Sequence, residues 1–176
     1  MKLSEATRKL LEFDRKGRYV FARRDLAKVF DETGPTLEKT LSRLIESGFL
    51  ERAVRDVYVF AESAHISSTT IEDIALTMRR GDYVFESLES ALSQWGLISQ
   101  IPIDRITLVT TGRKGEFQTP FGVIEFTHTD APPTEIIDNV VERPGHRIPI
   151  ATKEYALKNL RRVGRNLDMV KGDLYE

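Results

Sequence analysis

The chain has 176 residues, 40% of them hydrophobic and 30% charged, with a formal net charge of −1. That length carries one ordinary domain or two small ones around a real core, and no stretch reaches the roughly 18 apolar residues of a membrane span. With no cysteine in the sequence, a disulfide framework, a thiolate zinc site and a cysteine nucleophile are excluded.

Taken from the start, MKLSEATRKLLEF scatters charges among its apolar positions. No signal-peptide core is expected there, and a cytoplasmic location follows. Ser4, with Glu5 behind it, suits the cap of a first helix to about Phe13, with Ala6, Leu10, Leu11 and Phe13 on its apolar face. Tyr19, Val20 and Phe21 form a short buried strand or docking turn. A second helix runs from about Arg23 to Phe30. Asp31 to Pro35 make a turn in which Gly34 takes a positive φ and Pro35 ends the helix before it.

Thr36 is then the N-cap of a helix to Ser47. Leu37, Leu41, Leu44 and Ile45 recur at helical spacing, so Lys39, Thr40, Ser42 and Arg43 face outward. Gly48 stops this helix. Phe49 to Phe60 supplies two short strands joined near Val54, Arg55 and Asp56. Residues 61–70, AESAHISSTT, are small and polar, and the linker falls at about 63–70.

Beyond the linker, Ile71, Ile74, Ala75 and Met78 mark a helix. Tyr83 to Phe85 reads as a buried strand, and Ser87 caps a helix whose apolar face is Leu88, Ala91, Leu92 and Trp95. From Arg105 the period becomes that of strands: Ile106–Thr110, a hairpin turn over Thr111–Gly115, a run from Phe117, and VIEFTH. Ala131, Pro132 and Pro133 break the sheet. Ile136–Val141 and Arg147–Ala151 are expected as short strands before a last helix from Thr152 to about Val163.

Two domains therefore emerge: residues 1–62 as a winged helix-turn-helix and residues 71–176 as a mixed α+β domain with a mainly antiparallel sheet, an α+β class overall. Charge divides unevenly along the chain. Residues 1–62 carry 13 Lys+Arg against 11 Asp+Glu, residues 63–142 carry 5 against 12, and residues 143–176 carry 8 against 4. Contact with nucleic acid is thus expected at the two ends rather than in the middle.

A recognition helix reads base edges through outward side chains of its N-terminal half, which selects Thr36, Lys39, Thr40 and Arg43. Arg23 and Arg24 at the start of the preceding helix suit phosphates, and Arg52 and Arg55 suit the wing. Lys158, Arg161, Arg162 and Arg165 cluster on the last helix as a second phosphate-contacting or partner-contacting patch. A solvated amphipathic helix accounts for the same residues in each case.

Enzymatic signals are thin. TGRKGEF has the flavour of a phosphate loop, but it lacks the Walker spacing and lies at a strand turn. His65, His128 and His146 show no metal-ligand spacing. Glu125 and Asp130 suit the paired carboxylates of a metal-dependent nuclease, although an exposed strand position explains Glu125 more simply. A protein-interaction module without DNA binding is the alternative to a DNA reader. No catalytic residue, metal or cofactor is expected.

The order of parts resembles a family. The segment YVFARRDLAKVF…TLEKTLSRLIESGFLERAVRDVYVF, then YVFESLESALSQWGLISQIPIDRITLVTTGRKGEFQTPFGVIEFTH, then IPIATKEYALKNLRR, is similar to the AbiEi antitoxins of type IV toxin-antitoxin systems. The distinctive part is the middle: a Tyr before a Ser-x-x-Ser-Ala-Leu helix, a Trp-Gly-Leu exit, a Thr-containing strand and a Phe-x-Thr-x-x-Gly-x-Ile-x-Phe hairpin. The resemblance implies a transcriptional autorepressor that binds an inverted repeat in its own promoter. Its winged helix would bind double-stranded DNA, and its C-terminal domain would serve antitoxicity and assist DNA binding. It further implies a nucleotidyltransferase-like toxin as functional partner, without a stable complex. The reading role would fall on Lys39, Thr40 and Arg43, with Arg55 in the wing and Lys158 and Arg162 toward the backbone.

Overall fold

The structure, a computed structural model, describes residues 1–99 and 103–170. Two compact units emerge, Met1–Met78 and Arg79 onward. The first contains α1 (Leu3–Asp14), β1 (Val20–Ala22), α2 (Arg23–Phe30), α3 (Gly34–Glu46), β2 (Leu50–Val54), β3 (Val57–Phe60) and α4 (Thr70–Met78). Its strands form an antiparallel sheet in the order β1-β3-β2. Being central, β3 is buried along its whole length, whereas β2 exposes Glu51 and Arg52 in succession, next to a register irregularity between Arg52 and Val54.

Leu10, Phe21, Leu26, Phe30, Leu37, Leu41, Leu44 and Phe60 are each at most 2% exposed and make the core of this unit. At about 25 cal/mol per Å² of apolar surface, burying side chains of this size is the main favourable contribution to its stability. Asp25 starts α2 by accepting a 2.9 Å hydrogen bond from the Ala22 N–H, which satisfies one of the orphan donors of a helix terminus.

The stretch expected as a linker belongs to the first unit. Ser63 donates to the Asp14 carboxylate at the end of α1, and the His65 ring sits 2.9 Å from the Asp14 carbonyl. The Tyr19 hydroxyl donates to Asp73 at 2.7 Å and pairs with the Thr70 hydroxyl at 3.0 Å. These bonds hold α4, expected to open the second domain, on the first unit instead. Small polar residues look like a linker when unbonded and like capping residues when their hydroxyls have backbone partners.

The second unit contains β4 (Val84–Glu86), α5 (Leu88–Gln94), β5 (Arg105–Thr110), β6 (Gly115–Thr119), β7 (Gly122–His128), α6 (Pro133–Asp138), β8 (Val140–Val141), β9 (Ile150–Ala151), α7 (Lys153–Val163) and a short 3₁₀ turn at Leu167–Met169. Its six strands run in the order β6-β7-β5-β4-β9-β8. The pairs β6–β7, β4–β5 and β8–β9 are antiparallel, while β5–β7 and β4–β9 are parallel. The sheet is therefore mixed, and the overall class is α+β.

Phe85, Leu88, Leu92, Val109, Tyr155 and Leu160 lead its core, with Phe85 and Tyr155 stacked 5.7 Å apart. A buried polar network ties α5 to β5. The Ser90 N–H donates to the Thr107 hydroxyl at 3.0 Å, that hydroxyl donates to the Ser87 carbonyl at 2.6 Å, and the Asn159 amide reaches the Ser87 hydroxyl at 3.0 Å. It accounts for the Ser-x-x-Ser-Ala-Leu helix and the Thr-containing strand in physical terms: each residue satisfies another in a dry interior.

Several expectations are corrected. Ala131, Pro132 and Pro133 do lead the chain out of the sheet after β7, but 136–141 is not one strand: Pro133 opens α6 and only Val140–Val141 returns as β8, because proline is favoured in the first helical turn, where its missing N–H costs nothing. Likewise Pro35 lies in the first turn of α3 rather than ending the helix before it, so Thr36 is inside the helix and Thr33 is the N-cap. Ile45 is 40% exposed rather than inward, and Trp95 is 40% exposed, its indole N–H donating to the Ala151 carbonyl at 2.9 Å. The stretch Thr111–Gly115 is not a hairpin turn, since β5 and β6 are separated by β7. The last helix is α7 (Lys153–Val163), and Thr152 stands just before it as its N-cap, accepting from the Tyr155 N–H at 3.3 Å. Among the described residues no helix is long and apolar enough to cross a membrane.

Candidate nucleic-acid interface

Between α2 and α3 lie only Asp31, Glu32 and Thr33. Asp31 takes the left-handed conformation at φ 53° and Gly34 follows at φ 54°, reversing the chain so tightly that the two helices share one core. The Arg23 guanidinium donates to the Glu38 carboxylate, Nε at 2.8 Å, and braces α2 against α3. Arg23, expected on phosphate, is therefore engaged within the unit.

Along α3 the buried face is Leu37, Thr40, Leu41 and Leu44, the i, i+3, i+4, i+7 stripe of an amphipathic helix. Thr40, expected to read DNA, is 2% exposed and accepts from the Arg43 guanidinium at 3.4 Å. It fills the stripe, and its spacing from Leu37 and Leu44 carried that signal. Thr36 and Lys39 are exposed one turn apart, and Lys39 makes no ion pair among the described residues. Arg43 is exposed but folds back, donating to the Met1 carbonyl at 2.6 Å and the Lys39 carbonyl at 3.4 Å.

The hairpin β2–β3 turns at Arg55 and Asp56, the latter at φ 61°. Arg55 stands 89% exposed, its Nε 3.7 Å from Asp56, beyond hydrogen-bond length. Arg24 and Arg52 are exposed and, unlike Arg55, lack an ion pair among the described residues. Thr36, Lys39, Arg24, Arg52 and Arg55 are thus the expected residues left available in the first unit.

In the second unit the four basic residues do not act together. Lys158 reaches Glu135 at 3.3 Å, and Arg161 is exposed on α7. Arg162 donates to the His128 carbonyl at 3.2 Å. Arg165 grips Glu89 with two bonds of 2.7 and 3.1 Å and also meets Glu125. Those carboxylate bonds hold the Arg165 guanidinium in its charged form more firmly than usual. Arg165 is therefore an internal tether and is withdrawn as a DNA contact.

Glu125 is not an exposed strand residue. Its side chain is 12% exposed and lies between Arg105, at 2.9 Å, and Arg165, so its charge is already matched. No group of three or more His, Cys, Asp or Glu that could hold a metal ion occurs among the described residues. Reading TGRKGEF as a hairpin turn passed over Arg113 and Lys114, which topology carries across the end of β7. No local signal in the sequence shows that crossing, because it depends on which strands pair.

The fold has a solved counterpart. The RV2827C protein from Mycobacterium tuberculosis matches with a TM-score of 0.59 over 88% of this chain, at 16% sequence identity. This chain spans 59% of that protein's length, and the likeness is one of fold. No family model and no curated protein matches the sequence.

Proposed function

We propose that the chain is a DNA-binding transcriptional repressor whose first unit is a winged helix-turn-helix, and that it autoregulates a toxin-antitoxin operon and acts as its antitoxin. The observation that carries this reading is the presentation of Thr36 and Lys39 on the outer face of the first half of α3, beside the exposed Arg55 hairpin. A recognition helix flanked by a β-ribbon places just these positions on the major groove and the adjacent backbone. Repression then proceeds by promoter occlusion: Arg24, Lys39, Arg52 and Arg55 supply salt-dependent phosphate affinity, and the exposed face of α3 selects sequence.

The first unit carries 13 Lys+Arg and 13 Asp+Glu over residues 1–78. So even a balance supports modest affinity for one copy, and two copies on an inverted repeat in the chain's own promoter. The antitoxin role rests on the resemblance to AbiEi antitoxins, with a nucleotidyltransferase-like toxin opposed without a stable complex and a cytoplasmic setting for both. Gel shift on the DNA upstream of the chain's own gene tests the repressor reading. A shift that weakens steeply with salt is expected, and no salt-sensitive shift would leave a protein-interaction module as the better account. Co-expression with an adjacent nucleotidyltransferase-like reading frame tests the antitoxin role by rescue of growth.

A further inference from the structure

Because β7 lies between β5 and β6, residues 111–114 must step across the C-terminal end of β7. There His128 stands opposite Thr110 in the parallel register. The His128 ring pins the crossing: Nδ1 lies 2.8 Å from the Gly112 carbonyl and Nε2 lies 2.8 Å from Asp130. A Cβ on residue 112 would run into the Asp82 carboxylate, so glycine lets the connection pass. From the other side, Arg162 of α7 binds the carbonyl of the same His128. Between them opens a groove of about 1010 Å³ lined by Asp82, Thr111, Arg113, Lys114, His128 and Arg162, among others.

The lining is basic in a unit that is otherwise balanced, with 13 Lys+Arg and 14 Asp+Glu over residues 79–176. Arg105, Arg143 and Arg165 in this unit are matched by Glu116, Glu86 and Glu89. Arg113 and Lys114 are exposed and have no ion pair among the described residues, while the charge of Asp82 falls close to the Arg79 guanidinium. Arg113 and Lys114 around one concavity are what a phosphoanion needs, since each can give it a charge-assisted hydrogen bond without breaking an ion pair, and Arg162 spends one guanidinium N–H on the His128 carbonyl and has others to give. The position fits as well, because open sheets take ligands outside the carboxyl ends of parallel strands. Among the described residues no Phe, Tyr or Trp lines the groove, and the His128 imidazole is held through both nitrogens by Gly112 and Asp130, so it offers no large stacking platform for a base.

We propose that this groove binds the phosphate chain of a small ligand, a pyrophosphate or triphosphate group either free or carried by a nucleotide, through Arg113, Lys114 and Arg162. The inference stands apart from the DNA reading, since every residue in it belongs to the second unit.

Calorimetric titration of the full chain with inorganic tripolyphosphate, a nucleoside triphosphate and a short DNA duplex tests it at one fixed ionic strength. Tripolyphosphate should bind saturably, and the nucleoside triphosphate should bind within about threefold of it, as a site without base stacking requires. The double variant Arg113→Gln/Lys114→Gln should lose at least about tenfold in affinity, the effect of removing hydrogen bonds to a charged group, with an unchanged melting temperature as the check on folding. Lys39→Ala should retain full tripolyphosphate binding even where it weakens the gel shift, which keeps failure of either reading distinguishable. Undiminished binding by the double variant, or no saturable heat from either phosphate compound, would overturn the proposal. Displacement of tripolyphosphate by the duplex, sensitive to the same double variant, would overturn it in favour of a nucleic-acid backbone.

Discussion

Replacing Arg165 by methionine separates an internal tether from a DNA contact. Its guanidinium makes two hydrogen bonds to Glu89 and meets Glu125. Glu89 is 7% exposed, and without Arg165 it keeps the 2.9 Å bond from the Asn166 amide and one from its own backbone N–H. Removing one partner of a buried pair costs about 3–5 kcal/mol, because the other charge is stranded. Arg165 is itself 36% exposed, so water screens part of the interaction, and fully exposed pairs are worth under about 1 kcal/mol. The expected loss lies between these limits, at about 2 kcal/mol. For a domain of about 100 residues that corresponds to a drop of roughly 10 °C in melting temperature.

The loss should also depend on pH. Burial pushes the Glu89 carboxyl up, but bonds from Arg165 and Asn166 outweigh it and hold the group below its ordinary range. A depressed folded value means that the stabilisation is present above the unfolded carboxylate range near about 4.3 and fades as pH falls through the folded value. The gap between Arg165→Met and the parent chain should therefore be widest near neutral pH and narrow in acid. Differential scanning calorimetry across pH, with gel shifts at several salt concentrations, reads both properties. A melting temperature within about 2 °C of the parent, together with a salt slope lowered by about one, would refute the tether and restore a phosphate contact.

Four further outcomes follow from the same structure. Lys39→Ala and Arg55→Ala should each lower the salt slope of DNA binding by about one without changing thermal stability, whereas Thr40→Ala should lower stability by about 1 kcal/mol or more, as truncation inside a packed helix face does. The His128 imidazole, held by the Gly112 carbonyl and Asp130 and opposed by nearby Arg162, should titrate above its ordinary value when followed by NMR. With its folded value raised, the stabilisation is complete below the unfolded value near about 6.5 and is lost as pH rises through the folded one, and His128→Gln should abolish that alkaline-side decline. Phe21→Ala, removing a ring with 0% exposure, should cost about 3–5 kcal/mol by chemical denaturation.

What the sequence determined by itself is local. The periodicity of α1, α2 and α3, the alternation in VIEFTH, the Arg55–Asp56 turn and the last helix to Val163 were legible because each depends on neighbours within a few residues. The available part of the candidate interface was legible for the same reason: Thr36, Lys39 and Arg55 fall on exposed positions of elements that spacing alone defines.

Tertiary structure decided the rest. Thr40 joined the core because the stripe from Leu37 to Leu44 needed a fourth member, and a hydroxyl fits there when Arg43 bonds it. Arg165 left the basic patch because chain folding brought Glu89 and Glu125 to it from positions far away in sequence. The boundary moved from 62 to 78 because the hydroxyls of Ser63 and Thr70 found partners at Asp14 and Tyr19. The turn Thr111–Gly115 became a crossing because the partner of a strand is set by the whole sheet, not by the strand next in sequence. Ion pairs and strand order are properties of distant residues meeting, and periodicity holds no record of them.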